Sequence, residues 1–316
     1  MSDENDKLAF VFPGQGSQSV GMLSALAGEH GLVWETFGEA SEALGLDLWG
    51  LAQQGPEEEL NRTENTQPAL LAAGVACWRV WRASGGAIPQ VMAGHSLGEY
   101  TALVAAGALS FDDAVRLVAE RGRQMQRAVP EGEGAMAAII GLEDGQVEEA
   151  CERAAGGEVV SPANYNAPGQ VVIAGAAAAV ARAMEVCREL GAKRVLELPV
   201  SVPSHCSLML PAAEAMKARL DEVTIRAPQI PVVHNVDVAT HDDADEIRSA
   251  LLEQLHRPVR WTQTVRHMAG LGAGSFMECG PGKVLSGLNR RIERSLTALP
   301  LGDPEDLAKA LEQTGA

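Results

Sequence analysis

Short apolar runs bounded by glycine or proline alternate along the chain with longer stretches whose apolar positions recur at helical spacing. The runs Leu8 to Phe12, Val91 to Ala93, Val232 with Val233, and Ser275 to Glu278 read as buried strands. Helical patterns follow, among them those beginning at Leu97 and at Val284. Strands without a polar face that alternate with helices predict an α/β layered core around a largely parallel sheet. Between Glu131 and Leu198 the rhythm changes. A strand (Ala135 to Ile140), a helix (Gly145 to Ala155), two strands (Glu158 to Ser161, Gln170 to Ala174), a helix (Ala176 to Leu190) and a strand (Arg194 to Leu198) follow one another. That is the split βαβ order of a ferredoxin-like unit. The predicted organisation is a core formed by residues 8–130 and 199–301, an inserted ferredoxin-like subdomain at 131–198, a disordered tail at 1–7 and a C-terminal segment at 302–316. Such an insertion opens a cleft between two lobes, where small-molecule sites usually lie.

Composition narrows the partners. The 316 residues are 46% hydrophobic, enough for a sizeable core, and the formal charge of −17 repels a phosphate backbone, so nucleic acid is not expected. The first seven residues are acidic where a signal peptide is basic, and no apolar run approaches the roughly 18 residues of a membrane span. A soluble, cytoplasmic protein with no membrane partner is expected. Cys77, Cys151, Cys187, Cys206 and Cys279 are odd in number and contain no Cys-x-x-Cys, so neither a disulfide framework nor a zinc knuckle is expected. In His241-Asp-Asp-Ala-Asp245 the aspartates precede a helical pattern and read as caps rather than metal ligands. No metal and no bound cofactor are expected.

The chemistry is concentrated in Val91-Met-Ala-Gly94-His95-Ser96-Leu97-Gly98-Glu99-Tyr100. This is Gly-x-Ser-x-Gly with a strand pattern before it and a helical one, Tyr100 to Leu109, after it, the context of a nucleophile elbow. Gly94 and Gly98 leave space for the turn, and Ser96 Oγ stands above a helix N-terminus that favours negative charge. The blander alternative is a serine that caps the helix. A nucleophilic serine needs a base, and among the histidines beyond it His205 follows the extended, proline-bounded Leu198-Pro-Val-Ser-Val-Pro-Ser at the lobe junction. A surface histidine is the alternative there, and Cys206 beside it lacks an elbow and reads as a buried thiol. In the helical pattern from Phe111 to Arg127, Arg116, Glu120, Arg123 and Arg127 form one charged face. Arg121 lies on the opposite stripe with Ala114, Leu117, Val118 and Met125, so its guanidinium points inward and requires an anion. That anion is either an internal acid or, with a nucleophile nearby, a substrate carboxylate.

At these residues the chain resembles the malonyl-CoA:acyl-carrier-protein transacylases of fatty-acid synthesis and the related acyltransferase domains of polyketide synthases. The resemblance runs from Leu8 to Leu301 through FVFPGQGSQ at Phe10, QPALL at Gln67, AGHSLGEY at Ala93, ERG at Glu120, NYNAPGQVVIAG at Asn164, PVSVPSHC at Pro199 and ECGPGKVLSGL at Glu278. It implies an α/β-hydrolase-like core with a ferredoxin-like insertion. It further implies Ser96 as the acylated nucleophile, His205 as its base and Arg121 as the partner of the malonyl carboxylate. The N–H groups of Gln15 and Leu97 would form the oxyanion hole. The main-chain carbonyl of Gln254 would orient the base, and His95 and Asn166 would make a supporting hydrogen bond, stabilise a loop or contact the substrate. Leu97 matches the malonyl-type rather than the methylmalonyl-type pattern. The implied substrates are malonyl-CoA and acyl carrier protein, whose phosphopantetheine is the acceptor arm. Docking that acidic carrier calls for a local basic patch such as Lys283, Arg290 and Arg291, or Lys193 and Arg194, for which ordinary solvated charges are the alternative. A serine hydrolase on the same elbow and a non-catalytic carrier-binding scaffold are the alternatives.

Overall fold

The structure, a computed structural model, describes residues 7–200 and 202–315. The strands among them are numbered in chain order: β1 (Lys7–Phe12), β2 (Val91–Gly94), β3 (Gly134–Ile140), β4 (Val160–Ala167), β5 (Gln170–Ala176), β6 (Arg194–Glu197), β7 (Val232–Val233), β8 (Ala273–Glu278) and β9 (Thr297–Pro300). They form a five-stranded sheet in the order β7-β2-β1-β8-β9, all pairs parallel, and a four-stranded sheet in the order β4-β5-β3-β6, all pairs antiparallel.

The continuous apolar run of β1 follows from its central place in the parallel sheet, where both faces are covered. Successive side chains alternate: Phe10 and Phe12 enter one apolar cluster, Ala9 and Val11 the cluster on the other face. Phe10 meets Trp78 and Trp81 of the Thr63–Ala83 helix edge-on, at centroid distances of 5.4 and 5.3 Å. At the end of β8 the Glu278 carboxylate accepts the N–H groups of Leu285 and Ser286 at 3.0 and 2.7 Å, fixing the start of the Val284–Ile292 helix.

The antiparallel sheet uses the same alternation differently. Ala137 and Ile139 of β3 with Val171 and Ile173 of β5 pack under the Asp144–Ala154 and Ala177–Glu189 helices. Met136, Val172 and Ala174 face the other way and join Cys206, the neighbour of His205. One face of this sheet therefore stands over the predicted site. The sheet is stitched to the rest of the chain where Tyr165 N–H donates to Val259 O at 2.9 Å and Val259 N–H to Ala163 O at 2.8 Å.

Several expected boundaries shift. The strand expected at Glu158 to Ser161 runs instead over β4, because Pro162 to Ala167 find partners in β5 and Val259 that local composition does not reveal. The helix after the elbow is Gly98–Ala105 and ends before Gly107, whose φ of 76° is left-handed. Residues 1–6 of the expected tail lie outside the described residues, while Lys7 opens β1. The segment expected to follow the core contains the Pro304–Thr314 helix, whose Leu307 and Ala310 enter the main cluster. Asp243 caps the Ala244–His256 helix, accepting from Asp245 and Glu246 N–H.

At the elbow, backbone crosses backbone. A Cβ on Gly98 would lie 2.0 Å from Phe12 O. Gly98→Ala is therefore expected to destabilise the protein by about 3 kcal/mol in urea unfolding. Gly38→Ala, exposed in the Leu32–Leu44 helix with nothing within 4 Å of the new Cβ, should stabilise it by up to about 1 kcal/mol. Equal effects would contradict a steric role for Gly98.

Candidate active site

Ser96 sits between β2 and the Gly98–Ala105 helix with φ 52°, the left-handed region that a non-glycine residue enters only when its surroundings hold it there. Here the holder is Asn235, just beyond β7. Its Oδ1 accepts Ser96 N–H at 2.7 Å, and its Nδ2 donates to Gly94 O at 2.7 Å, spanning the turn. The Ser96 hydroxyl does not cap the helix. It lies 2.8 Å from His205 Nε2.

His205 is also left-handed, at φ 62°. Its position follows from the Ala244–His256 helix, whose last carbonyls have no partner within the helix. Leu255 O accepts His205 N–H at 3.0 Å, and Gln254 O lies 2.6 Å from Nδ1. A carbonyl can only accept, so Nδ1 carries the hydrogen and Nε2 presents its lone pair to the serine. A helix C-terminus thus occupies the place where an acid orients the histidine in most serine hydrolases. Burial, and next the charge of Arg121, lower the pKa of His205 from 6.5 to about 3, against the opposing effect of the Gln254 carbonyl.

Arg121 is fully buried in the Phe111–Ala128 helix. It reaches the site because Gly122 lets this helix approach the start of the Thr63–Ala83 helix: a Cβ there would lie 2.7 Å from Thr63 O. Arg121 Nη1 donates to Gln67 Oε1 at 2.8 Å, and Nη2 to Gln254 Oε1 at 2.9 Å and to Ser96 Oγ at 3.3 Å. Its guanidinium lies 5.6 Å from the Tyr100 ring centroid. Among the described residues no carboxylate forms an ion pair with it. Burial lowers its pKa, and Tyr100 and Glu99 act in the opposite direction.

A cavity of about 100 Å³ opens onto Ser96 and His205, bounded by Gln15, His95, Met136 and Val200. Gln15 follows β1 in a loop braced by Gln18, which accepts Gly16 N–H at 2.8 Å and donates to Asn61 at 2.8 Å. Among the described residues, the N–H groups of Gln15 and Leu97 donate to no other backbone group. His95 Nε2 lies 2.8 Å from Asn166 Oδ1, so this pair joins the elbow to β4. No group of three or more His, Cys, Asp or Glu among the described residues is placed to hold a metal ion.

Four residues without a sequence-based assignment complete the centre: Gln67, Glu99, His234 and Asn235. Glu99 Oε1 lies 2.8 Å from His234 Nδ1, and its Oε2 accepts from Asn235 N–H at 3.0 Å and Gln254 Nε2 at 2.9 Å. The available signals were a charge inside an apolar helix, Glu99, and a polar pair at the C-terminal end of a parallel strand, His234 and Asn235, where sites in such sheets lie.

Residues 9–298 match the family described as "Acyl transferase domain". The chain is 60% identical over 306 residues to the malonyl CoA-acyl carrier protein transacylase of Escherichia coli (strain K12), covering 97% of this chain and 99% of that one. The solved malonyl CoA-acyl carrier protein transacylase of Coxiella burnetii is 52% identical, with a TM-score of 0.97 and 99% of each chain covered. A malonyl-transacylase solved in complex with a type II PKS acyl-carrier protein is 56% identical, with a TM-score of 0.96 and coverage of 98% of this chain and 100% of that one. With likeness of this extent in sequence and fold, the chain belongs to the acyl transferase domain family.

Proposed function

We propose that the chain transfers the malonyl group of malonyl-CoA to the phosphopantetheine thiol of acyl carrier protein through a malonyl-Ser96 intermediate, for fatty-acid synthesis. The observation that carries this reading is the buried Arg121 guanidinium, 3.3 Å from the serine hydroxyl and free of any carboxylate ion pair among the described residues. A cation that adjoins the nucleophile without a carboxylate in contact suits an anionic acyl group. One methylene separates the malonyl carboxylate from its thioester carbonyl, so a clamp for it has to adjoin the nucleophile. In the same proposal the core (8–130 and 199–301) is α/β-hydrolase-like, and the insertion (131–198) is ferredoxin-like, its βαββαβ order and β4-β5-β3-β6 arrangement supporting that assignment. A cytoplasmic location also belongs to it, in keeping with five buried free cysteines.

His205 Nε2 takes the Ser96 proton as Oγ attacks the thioester carbonyl. The imidazolium that forms is stabilised by Gln254 O and by the negative end of the helix that supplies it. The N–H groups of Gln15 and Leu97 receive the oxyanion, each worth on the order of 3 kcal/mol in the transition state. CoA leaves as the thiol, using the proton held by His205. The carrier's thiol then gives a proton to His205, attacks the malonyl ester and restores Ser96. Arg121 contributes twice: its charge disfavours the imidazolium in the empty site, and a malonyl carboxylate paired with it removes that penalty. The correct substrate thereby strengthens its own base. His95 and Asn166 brace the elbow against the insertion.

The acidic carrier would dock on exposed basic residues, either Lys283 and Arg291 or Lys193 and Arg194. Arg291 donates to Gln170 of β5 at 3.1 Å, Gln170 is paired with Ile140 of β3, and Ile140 with Arg194 of β6. Gln170 and Arg194 are thus two strand spacings apart, about 10 Å, with Arg291 reaching Gln170 through its side chain. Lys193 and Lys283 are exposed, whereas Arg290 is partly occupied by Ala298 O.

Intact mass spectrometry should show a malonyl adduct on the wild type, none on Ser96→Ala, and discharge of the adduct when carrier bearing its pantetheine arm is added. Loss to water at the same rate with or without carrier would point to a hydrolase, and no adduct at all to a scaffold. Arg121→Ala should lower kcat/KM for malonyl-CoA by about a hundredfold and for acetyl-CoA by less than about tenfold, since only malonyl forms the charge-assisted bonds. Equal losses would exclude the clamp. Because the neutral imidazole is the active form and its pKa is depressed, it persists as pH falls and is lost only on approaching its folded value of about 3. Acylation of Ser96 by an uncharged sulfonyl fluoride should therefore show its acid limb well below pH 6.5; a limb at 6.5 would contradict a shielded base.

A further inference from the structure

We propose that Glu99 is the counter-charge of Arg121, acting at one remove through the side-chain amide of Gln254. Both charged groups are fully buried. Arg121 Nη2 donates to Gln254 Oε1 at 2.9 Å, and Gln254 Nε2 donates to Glu99 Oε2 at 2.9 Å. The amide therefore lies between cation and anion with its carbonyl toward the first and its NH2 toward the second. Rotating the amide by half a turn would set NH2 against guanidinium and carbonyl against carboxylate, two repulsive contacts, so the charges fix its orientation. The same Nε2 also donates to Ser96 O at 2.9 Å, tying the elbow to the relay.

The arrangement resolves a conflict built into a cationic pocket. A buried guanidinium is costly without an anion, yet a carboxylate in direct contact would occupy the edge a substrate carboxylate must use. Placing the acid one amide away balances the charge without a carboxylate in direct contact with the guanidinium. His234 holds the other oxygen of Glu99, with Nδ1 2.8 Å from Oε1. Burial lowers and Glu99 raises the proton affinity of that ring, with a net rise. Its buried Nε2 has no hydrogen-bond partner among the described residues, so the ring is held through Nδ1 and Glu99 alone.

The inference rests on Arg121 being the clamp for the malonyl carboxylate, and its test needs no acyl transfer. Thermal unfolding of the full chain is compared for wild type, Glu99→Gln, Arg121→Met and the double variant. Glu99→Gln is nearly isosteric and keeps an acceptor toward Gln254 and Asn235, so it removes mainly the charge. It should lower Tm by about 3 °C or more in the presence of Arg121, and by less than half of that when introduced into the Arg121→Met variant. Saturating sodium malonate should raise the Tm of Glu99→Gln more than that of wild type and leave the double variant unmoved. Additive costs, or a malonate shift no larger than in wild type, would overturn the counter-charge. Should Glu99→Gln alone fail to fold, the double variant is expected to fold again; its failure to do so would likewise overturn the idea. A wild type unmoved by malonate, with the coupling intact, would instead count against the clamp.

Discussion

A guanidinium that meets neither water nor an acid has to be held by neutral oxygens, and much of the polar interior is arranged around that requirement. Arg121 is held by Gln67 and Gln254, while Gln254 is held in turn by Glu99 and by the backbone of Ser96. Because the interior is of low dielectric, each of these bonds is stronger than it would be in water, and each omission costs more. Arg121, Ser96 and His205 consequently belong to one connected assembly. Gln254 touches all three: through its side chain to Arg121 and the elbow, and through its carbonyl to His205.

That assembly depends on a second constraint, the close crossing of the elbow over β1. Gly98 lies against Phe12 O, and His95 N–H donates to that same oxygen at 2.9 Å. The crossing brings the elbow against the start of the loop that follows β1, where a Cβ on Gly14 would lie 2.4 Å from His95 O. The left-handed backbone of Ser96 and His205 is stored strain that this packing sustains.

The antiparallel sheet completes the site without supplying the nucleophile or the base. Its alternation sends one set of side chains under its own helices and the other toward Cys206 and the cavity, which Met136 and Val172 line. Its strand β4 is bonded to Val259, just beyond the helix that orients His205, and Asn166 on that strand meets His95. The antiparallel sheet is thereby joined to the elbow next to the cavity, which His95 lines.

The layered α/β order, the change of rhythm between Glu131 and Leu198, and the strand-serine-helix context of Ser96 were legible in the chain because each depends on local periodicity or on a tight turn. The inward face of Arg121 was legible for the same reason: a charge out of phase with its helix reveals itself within two turns. What the guanidinium meets there was not legible, since Gln67 and Gln254 lie 54 and 133 positions away from it and no local pattern links them. The extension of β4 and the β9 strand also depended on distant partners, as edge pairings do. Periodicity therefore determined which side chains point inward, whereas only the tertiary structure decided that the base is oriented by a helix end and the buried cation by amides, because those bonds form between segments that only folding brings together.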